Sequence, residues 1–388
     1  MPRVAATVDG FAMPVNGGRA AGALPNAPRA VRRTPLPARV FAEIVPHMKG
    51  AQAVRMNGRS LRCLVVAALV AGTAPSPAPA RHLGDKDSIV TLQFENDFFG
   101  NSDGQFSHGT RIAWMSPEDL VPDWAKALAD WVPRFDIALS KRIVYSLGQS
   151  MFTPSDISRR ELIPDDRPYA GWLYAGFGLV SVGADFLDNL ELNIGVVGPW
   201  SFAEETQKRW HELFNFRRPE GWDNQLENEP GIQLNFERKW RAWESFSIET
   251  LGGDITPHIG VGLGNILTHG AVGVTLRLGE DLPNDYGPPR IRPSLPGSDY
   301  FVSRGGFSWY LFVGAEGRAV GHNIFLDGNT FRDSHSVDKQ NFVADFQAGI
   351  VFFIGGARIA YTHVLRTEEF ENQDGPVQFG ALSASFRF

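Results

Sequence analysis

Thiols are nearly absent from this chain. Cys63 is its only cysteine, which excludes an internal disulfide framework, a thiolate metal site and a Cys–Cys redox pair. Long apolar runs are missing as well. Beyond residue 80 no stretch reaches eighteen uninterrupted apolar residues, so helical membrane spans are excluded. Basic charge is the third deficit. Residues 1–80 hold 10 of the 37 Lys and Arg and 2 of the 43 Asp and Glu; the 27 and 41 that remain leave residues 81–388 at a net of −14. That balance argues against nucleic acid as a partner and is more compatible with divalent cations.

Three segments follow from composition. Residues 1–55 are rich in Ala, Pro and Arg without a sustained period. They read as an extension ahead of a start at Met48 or Met56, or as a disordered tail. Residues 56–80 have the layout of a secretory signal: Arg59 and Arg62, an apolar core from Cys63 to Val70, and a small-residue cleavage site at Ala78-Pro79-Ala80. Residues 81–388 are the expected mature domain.

What that domain has in quantity is alternation. In "NLELNIGVVG", Leu190, Leu192, Ile194 and Val196 share one face and Glu191, Asn193 and Gly195 the other. Similar runs begin near Val90, Gly109, Ile143, Tyr169, Ile232, Phe246, Ala271, Trp309, Val343 and Ile359, and the chain closes on "GALSASFRF". About twelve strands result. An even strand count, a secretory signal, abundant Gly and aromatics and an aromatic C-terminus predict an all-β fold. The expected form is a transmembrane antiparallel β-barrel of about 12 strands in the bacterial outer membrane. Closure is required because an open edge in lipid strands its backbone donors. Trp114, Trp172, Trp200, Trp240, Trp243 and Trp309 are expected in the interfacial girdles. A soluble barrel or sandwich is the alternative.

Long connections at 117–141, 153–168, 200–229 and 279–306 interrupt the pattern. "PDWAKALADWV" is a short amphipathic run that rests on the membrane interface or caps the barrel, and 320–340 is expected to hold an extended hairpin. "WSFAEETQKRWHELFNF" predicts a helix opened by a Ser201–Glu204 capping box. On it Gln207 and His211 share one face above Glu204, beside an apolar stripe of Trp210, Leu213 and Phe214. Such a helix lies along the barrel's outer wall. At the end of the first strand, "FENDFFGNSDGQFSHG" runs an apolar strand straight into Glu95, Asn96 and Asp97.

"FENDFFGNSDGQFSHGTRIAW", "SLGQSMFTPSDI", "PDDRPYAGWLYAGFGL", "NIGVVGPWSFAEETQKRWHELF" and "WDNQLENEPG", in this order from about residue 88 onward, resemble the lipid A 3′-O-deacylase family of outer-membrane enzymes. The resemblance implies a twelve-stranded barrel and a calcium-dependent hydrolase. Such an enzyme removes the 3′-linked acyloxyacyl group from lipid A, at a site between the outer wall and an extracellular-loop helix. It implies that Asn96 and Asp97 are the pair at the end of the first strand and Ser107 the hydroxyl residue at the start of the second. His211 is the implied catalytic histidine and Gln207 the glutamine one turn before it. The chain departs from some members at Arg217, where they carry a functional Glu. Glu220, Glu227 and Glu229 are nearby carboxylates, none at that spacing.

The chemistry expected is ester hydrolysis by a His211-activated water, since histidine's ordinary pKa lies near neutrality. Ca2+, held by Asp97, is expected to polarise the ester carbonyl. Asn96 and Gln207 orient water or ester. Arg159, Arg160 and Arg217, with Arg209 and Arg218, are expected to meet the phosphates. A bend or bulge is needed to bring Asn96 and Asp97 to one site. Plainer readings stand beside these: Asp97 as a turn cap, His211 as a surface helix residue, Ser107 as a strand-start hydrogen-bonder, and Arg167 as a tie to a carboxylate. Two other functions are kept: a phospholipase with Ser107 as nucleophile beside His108 or another histidine, and a non-enzymatic small porin. The expected partner is lipid A or lipopolysaccharide, and a monomer is expected.

Overall fold

Twelve antiparallel strands close into a barrel in the computed structural model, which describes residues 86–388 except 101–104, 119, 130–139, 184, 242–243, 290–297 and 303–304. The expected extension and signal segment lie outside the described residues. The strands are β1 (Ile89–Asn96), β2 (Gln105–Met115), β3 (Ser140–Thr153), β4 (Ala170–Val182), β5 (Phe186–Val197) and β6 (Glu229–Trp240). They continue as β7 (Leu251–Gly264), β8 (Leu267–Glu280), β9 (Phe307–Asn323), β10 (Phe342–Ile354), β11 (Ala357–Arg366) and β12 (Val377–Arg387). A short segment, Glu244–Ile248, carries β6 onward and pairs with the start of β7. The strand expected near Phe246 is therefore this continuation, and the independent strand begins at Leu251 after a turn at Glu249, whose φ is 54°.

Closure is made by β1 pairing with β12, Ile89 opposite Arg387 and Asn96 opposite Gly380. Neighbours in sequence pair around the rest of the ring, including β6 with β7. No edge is left, as lipid requires. The alternation resolves into two faces. Along β1 the outward row is Val90, Leu92, Phe94 and Asn96, and the inward row is Thr91, Gln93 and Glu95. Outward apolar residues such as Ile112, Leu147, Ile194 and Val272 are exposed to the bilayer side. Among the described residues no helix is long and apolar enough to cross a membrane; the strands do so.

Inward charges are buried and paired. Toward the end where β11 finishes, Arg318 and Arg366 share Asp345, at 2.9 and 2.8 Å, and Arg167 reaches Glu369 at 2.8 Å. Arg167 is thus a carboxylate tie. At the end where β1 begins and β12 finishes, Tyr286, Tyr300 and Phe301 pack inside against Ile89, Tyr310 and Phe353. At the opposite, extracellular end, the one-turn helix Ile324–Asp327 seats Phe325 on Phe152, with ring centres 4.0 Å apart. This turn replaces the hairpin expected over 320–340: Asn323 accepts the Phe325 N–H at 3.1 Å and Gly328, at φ 81°, ends it. Strand pairing there was overridden because Ile324, Phe325 and Leu326 bury completely in the barrel mouth.

The amphipathic run forms α1 (Asp123–Ala129). Val121 and Ala125 pack on Ile143 and Leu179, with the outward residues Trp114 and Phe177 alongside, so α1 rests on the outer wall rather than capping the lumen. Trp172 is not in a girdle. Alternation on β4 turns Leu173, Ala175 and Phe177 outward, and Trp172 stacks inward on Tyr174 at 4.3 Å. Trp243 lies outside the described residues.

Candidate active site

The loop between β5 and β6 leaves the wall at Gly198, whose φ of 97° favours glycine, and turns through Pro199–Ser201 into α2 (Ala203–Phe214). The expected capping box does not form. Ser201 is fully buried and donates its hydroxyl to the Gly198 carbonyl at 2.6 Å instead of to the helix. Phe202, at φ 56°, is the N-cap without a side-chain bond. Glu204 pairs with Lys208 at the surface side, and Ala203 rather than Glu204 lies below Gln207 and His211 on the buried face.

That face docks on the barrel's outside. Gly171, outward on β4, has no side chain, and a Cβ there would come 2.2 Å from the Ala203 Cβ. Met151 packs with Ala203, Tyr169 and Trp222. Gln149, which would otherwise point an amide into lipid, donates to the Ser201 carbonyl at 2.6 Å. Trp210 packs on Phe94, ring centres 5.1 Å apart, and reaches the first strand's apolar row.

Between α2 and the ends of β1 and β2 lies a cleft of about 250 Å3. Asn96, Asp97, Ser107, Gln207, His211 and Arg217 line it together with His108, Trp210 and Phe216. The local geometry that unites Asn96 and Asp97 is double. A 3-10 turn, Asp97–Gly100, begins immediately after β1, and the partner strand β2 bulges between Phe106 and His108 where it meets β3. Asn96 ties the two together. Its Oδ1 accepts the Phe98 N–H at 2.9 Å and its Nδ2 donates to the Ser107 carbonyl at 2.5 Å. Asp97 is buried and is the acidic side chain of the cleft.

His211 is held by the helix end. Asn215 takes the left-handed conformation, φ 56°, and Phe216 N–H returns to the His211 carbonyl at 2.9 Å. The chain therefore doubles back, and the Arg217 carbonyl meets His211 Nδ1. A carbonyl only accepts, so Nδ1 carries the proton and Nε2 keeps the lone pair. Nε2 makes no hydrogen bond among the described residues. Gln207 is oriented as strictly. Trp222 Nε1, which only donates, bonds Gln207 Oε1 at 2.7 Å, leaving the buried Nε2 without a partner. The site thus offers a base and a free amide donor one helical turn apart.

Other expected residues sit differently. The Arg217 side chain turns away to Ser158 at 3.4 Å; position 217 serves the cleft through its carbonyl. Arg160 is 76% exposed and pairs with Asp223 at 3.4 Å on the flanking loop. Neither Arg159 nor Arg160 lines the cleft. Asp156, between them and Arg217, is held below the usual carboxylate range first by the Ser158 hydroxyl and N–H, with Arg217 and Arg159 adding to it. Glu220, Glu227 and Glu229 stand outside the cleft; Glu229 is bound by Asn265, Asn329 and the Thr330 N–H. Ser107 bonds the Thr153 hydroxyl at 2.6 Å rather than an imidazole. Sequence reading missed Trp222 and the Arg217 carbonyl as supports. It treated His108 only as a neighbour of Ser107, although its outward register opposite Asn96 was readable from the alternation.

A family model described as Outer membrane protein LpxR matches residues 63–388. Among solved structures, LpxR from Salmonella typhimurium is 18% identical with a TM-score of 0.62, covering 77% of this chain and 100% of that one. The beta domain of the Bordetella autotransporter BrkA is 10% identical with a TM-score of 0.38, covering 78% and 99%. No curated protein matches.

Proposed function

The chain belongs to the LpxR family of outer-membrane proteins, the family of lipid A 3′-O-deacylases, and from this we propose that it removes the 3′-linked acyloxyacyl group of lipid A in the outer leaflet. One observation carries the reading: the helix residues Gln207 and His211 and the rim residues Asn96 and Asp97 line a single cleft on the outer wall. A cleft on that flank receives acyl chains sideways from the leaflet, so the substrate need not leave lipid.

In this reading His211 Nε2 takes a proton from water, and the resulting hydroxide attacks the acyl carbonyl. The imidazolium then returns the proton to the departing sugar oxygen. The Arg217 carbonyl holds the ring in the required tautomer, as an orienting acceptor does in other His-based sites. Gln207 Nε2 donates to the oxygen on which negative charge develops, a contribution typically of about 3 kcal/mol. Asn96 keeps the turn against the bulge. The exposed Arg159, Arg160 and Arg217 ring the flanking loop and meet lipid phosphates.

Calcium belongs to the same proposal, with Asp97 as its carboxylate. Among the described residues no three His, Cys, Asp or Glu side chains converge. Asp97, the carboxylate of the cleft, would hold calcium together with neutral backbone and amide oxygens, a low-charge site of modest affinity. When bound, calcium supplies Lewis-acid polarisation of the ester carbonyl.

The alternatives fare worse. A serine nucleophile needs an adjacent base, and the Ser107 hydroxyl is spent on Thr153. The test is mass spectrometry of lipid A from cells expressing the wild-type chain or His211→Ala. Loss of the acyloxyacyl mass is expected with the first only, and its loss should be blocked by chelation and restored by calcium. Unchanged lipid A with properly inserted wild-type protein would sink the proposal.

A further inference from the structure

We propose that His108 is a second hydrogen-bond donor to the bound acyl ester, opposing Gln207 from the barrel side of the cleft. The proposal rests on the ester-hydrolase reading above.

His108 follows the β2 bulge, which resets the alternation so that its side chain faces outward with Thr110, Ile112 and Trp114. An imidazole on the bilayer face is costly unless it is covered and bonded. Both conditions are met. Phe94 lies edge-on to it at 5.0 Å and Trp210 at 5.8 Å, and His108 is 6% exposed. Its Nε2 lies 2.7 Å from the Thr110 hydroxyl.

Thr110 is taken as the donor of that bond. Thr110 is exposed toward the bilayer, where a hydroxyl proton left unshared is expensive, and Nε2 is the acceptor within reach. With Thr110 donating to Nε2, the ring proton sits on Nδ1. Nδ1 makes no hydrogen bond with any described residue, and His108 lines the cleft alongside Gln207 and His211. With Nδ1 turned to the bound ester, as proposed, one wall presents the Gln207 amide N–H and the other an imidazole N–H. Two fixed donors facing one cavity are what a developing oxyanion requires. His108 is not a second base: its lone pair is engaged by Thr110, whereas that of His211 is free.

The plain alternative is that the ring only fills space between Phe94 and Trp210. Two variants of the full chain separate the roles. His108→Phe keeps an aromatic ring and removes the N–H; His108→Asn keeps an N–H and removes the ring. With lipid A in detergent micelles, His108→Phe is expected to lower kcat about 100-fold with KM changed less than about threefold. His108→Asn is expected to recover about tenfold of that loss. Thr110→Val should fall in the same direction and Thr110→Ser should not. If His108→Phe fails to fold, as judged by heat-modifiable migration, His108→Asn and His108→Leu provide the same contrast. Wild-type kcat in His108→Phe, or a Leu variant as active as the Asn variant, overturns the proposal. An inactive wild-type chain overturns the underlying reading instead, a distinguishable result.

Discussion

At the scale of residues, the site depends on groups that can be hydrogen-bonded in one way only. The Trp222 indole has no acceptor, so Gln207 must turn its oxygen to it and its NH2 toward the cleft. Burying an unpaired donor costs about 1–3 kcal/mol, which a bound ester would offset. Gln207→Glu keeps the acceptor for Trp222 and loses the donor; it is expected to lower kcat about 100-fold. Trp222→Phe removes the constraint but not the amide, and about a tenfold loss is expected. Unaltered kcat in Gln207→Glu would exclude Nε2 from the reaction. The i, i+4 spacing made Gln207 and His211 legible in sequence. The Arg217 carbonyl was not, because side-chain identity says nothing about where a main-chain oxygen arrives after a left-handed cap.

At the scale of elements, activity requires α2 to lie flat on β3 and β4. The contact that permits this is Gly171 against Ala203, where an added Cβ meets another at 2.2 Å. The Ala203 methyl sits on the helix backbone and cannot rotate aside. Gly171→Ala is therefore expected to lift α2 while leaving the barrel closed, and an ångström of misplacement is enough for about a 100-fold loss of activity. A Cβ at 171 would also meet the Ser201 Oγ at 2.2 Å, so Ala203→Gly in the same chain removes one of two clashes and should restore only part of that loss. The pair is measured as a double-mutant cycle on lipid A deacylation, with heat-modifiable migration reporting the barrel. Independent, additive losses would mean that the two residues are not in contact. Periodicity revealed the strands and the helix because each repeats its signal over eight or more residues. The helix start was misread because Ser201 matches a cap in type and spacing, yet the wall claims its hydroxyl and its burial.

At the scale of the whole molecule, the question is whether the barrel passes solutes. Twelve strands were countable from alternation, but the contents of the lumen were not, since the segments that enter it read as a long connection and as a hairpin. Their placement depends on partners distant in sequence. Tyr310 and Arg358 hold Asp285 at 2.7 and 3.6 Å near one end, where Arg358 also lies under Phe301, while Phe325 stacks in the opposite mouth. Between them the inward charges are paired across strands rather than arranged around an open bore. A water-filled path must break an aromatic cap at each end, so the wild-type chain is expected to show no discrete conductance steps in planar bilayers. Removing one cap leaves the other, so Phe325→Ala alone should also stay silent. Phe325→Ala combined with Tyr300→Ala and Phe301→Ala should produce intermittent openings, because both ends then lose ring volume that neighbouring side chains recover only in part. Steady porin-like steps from the wild-type chain would show that the caps do not seal the barrel and would revive the passive-channel reading.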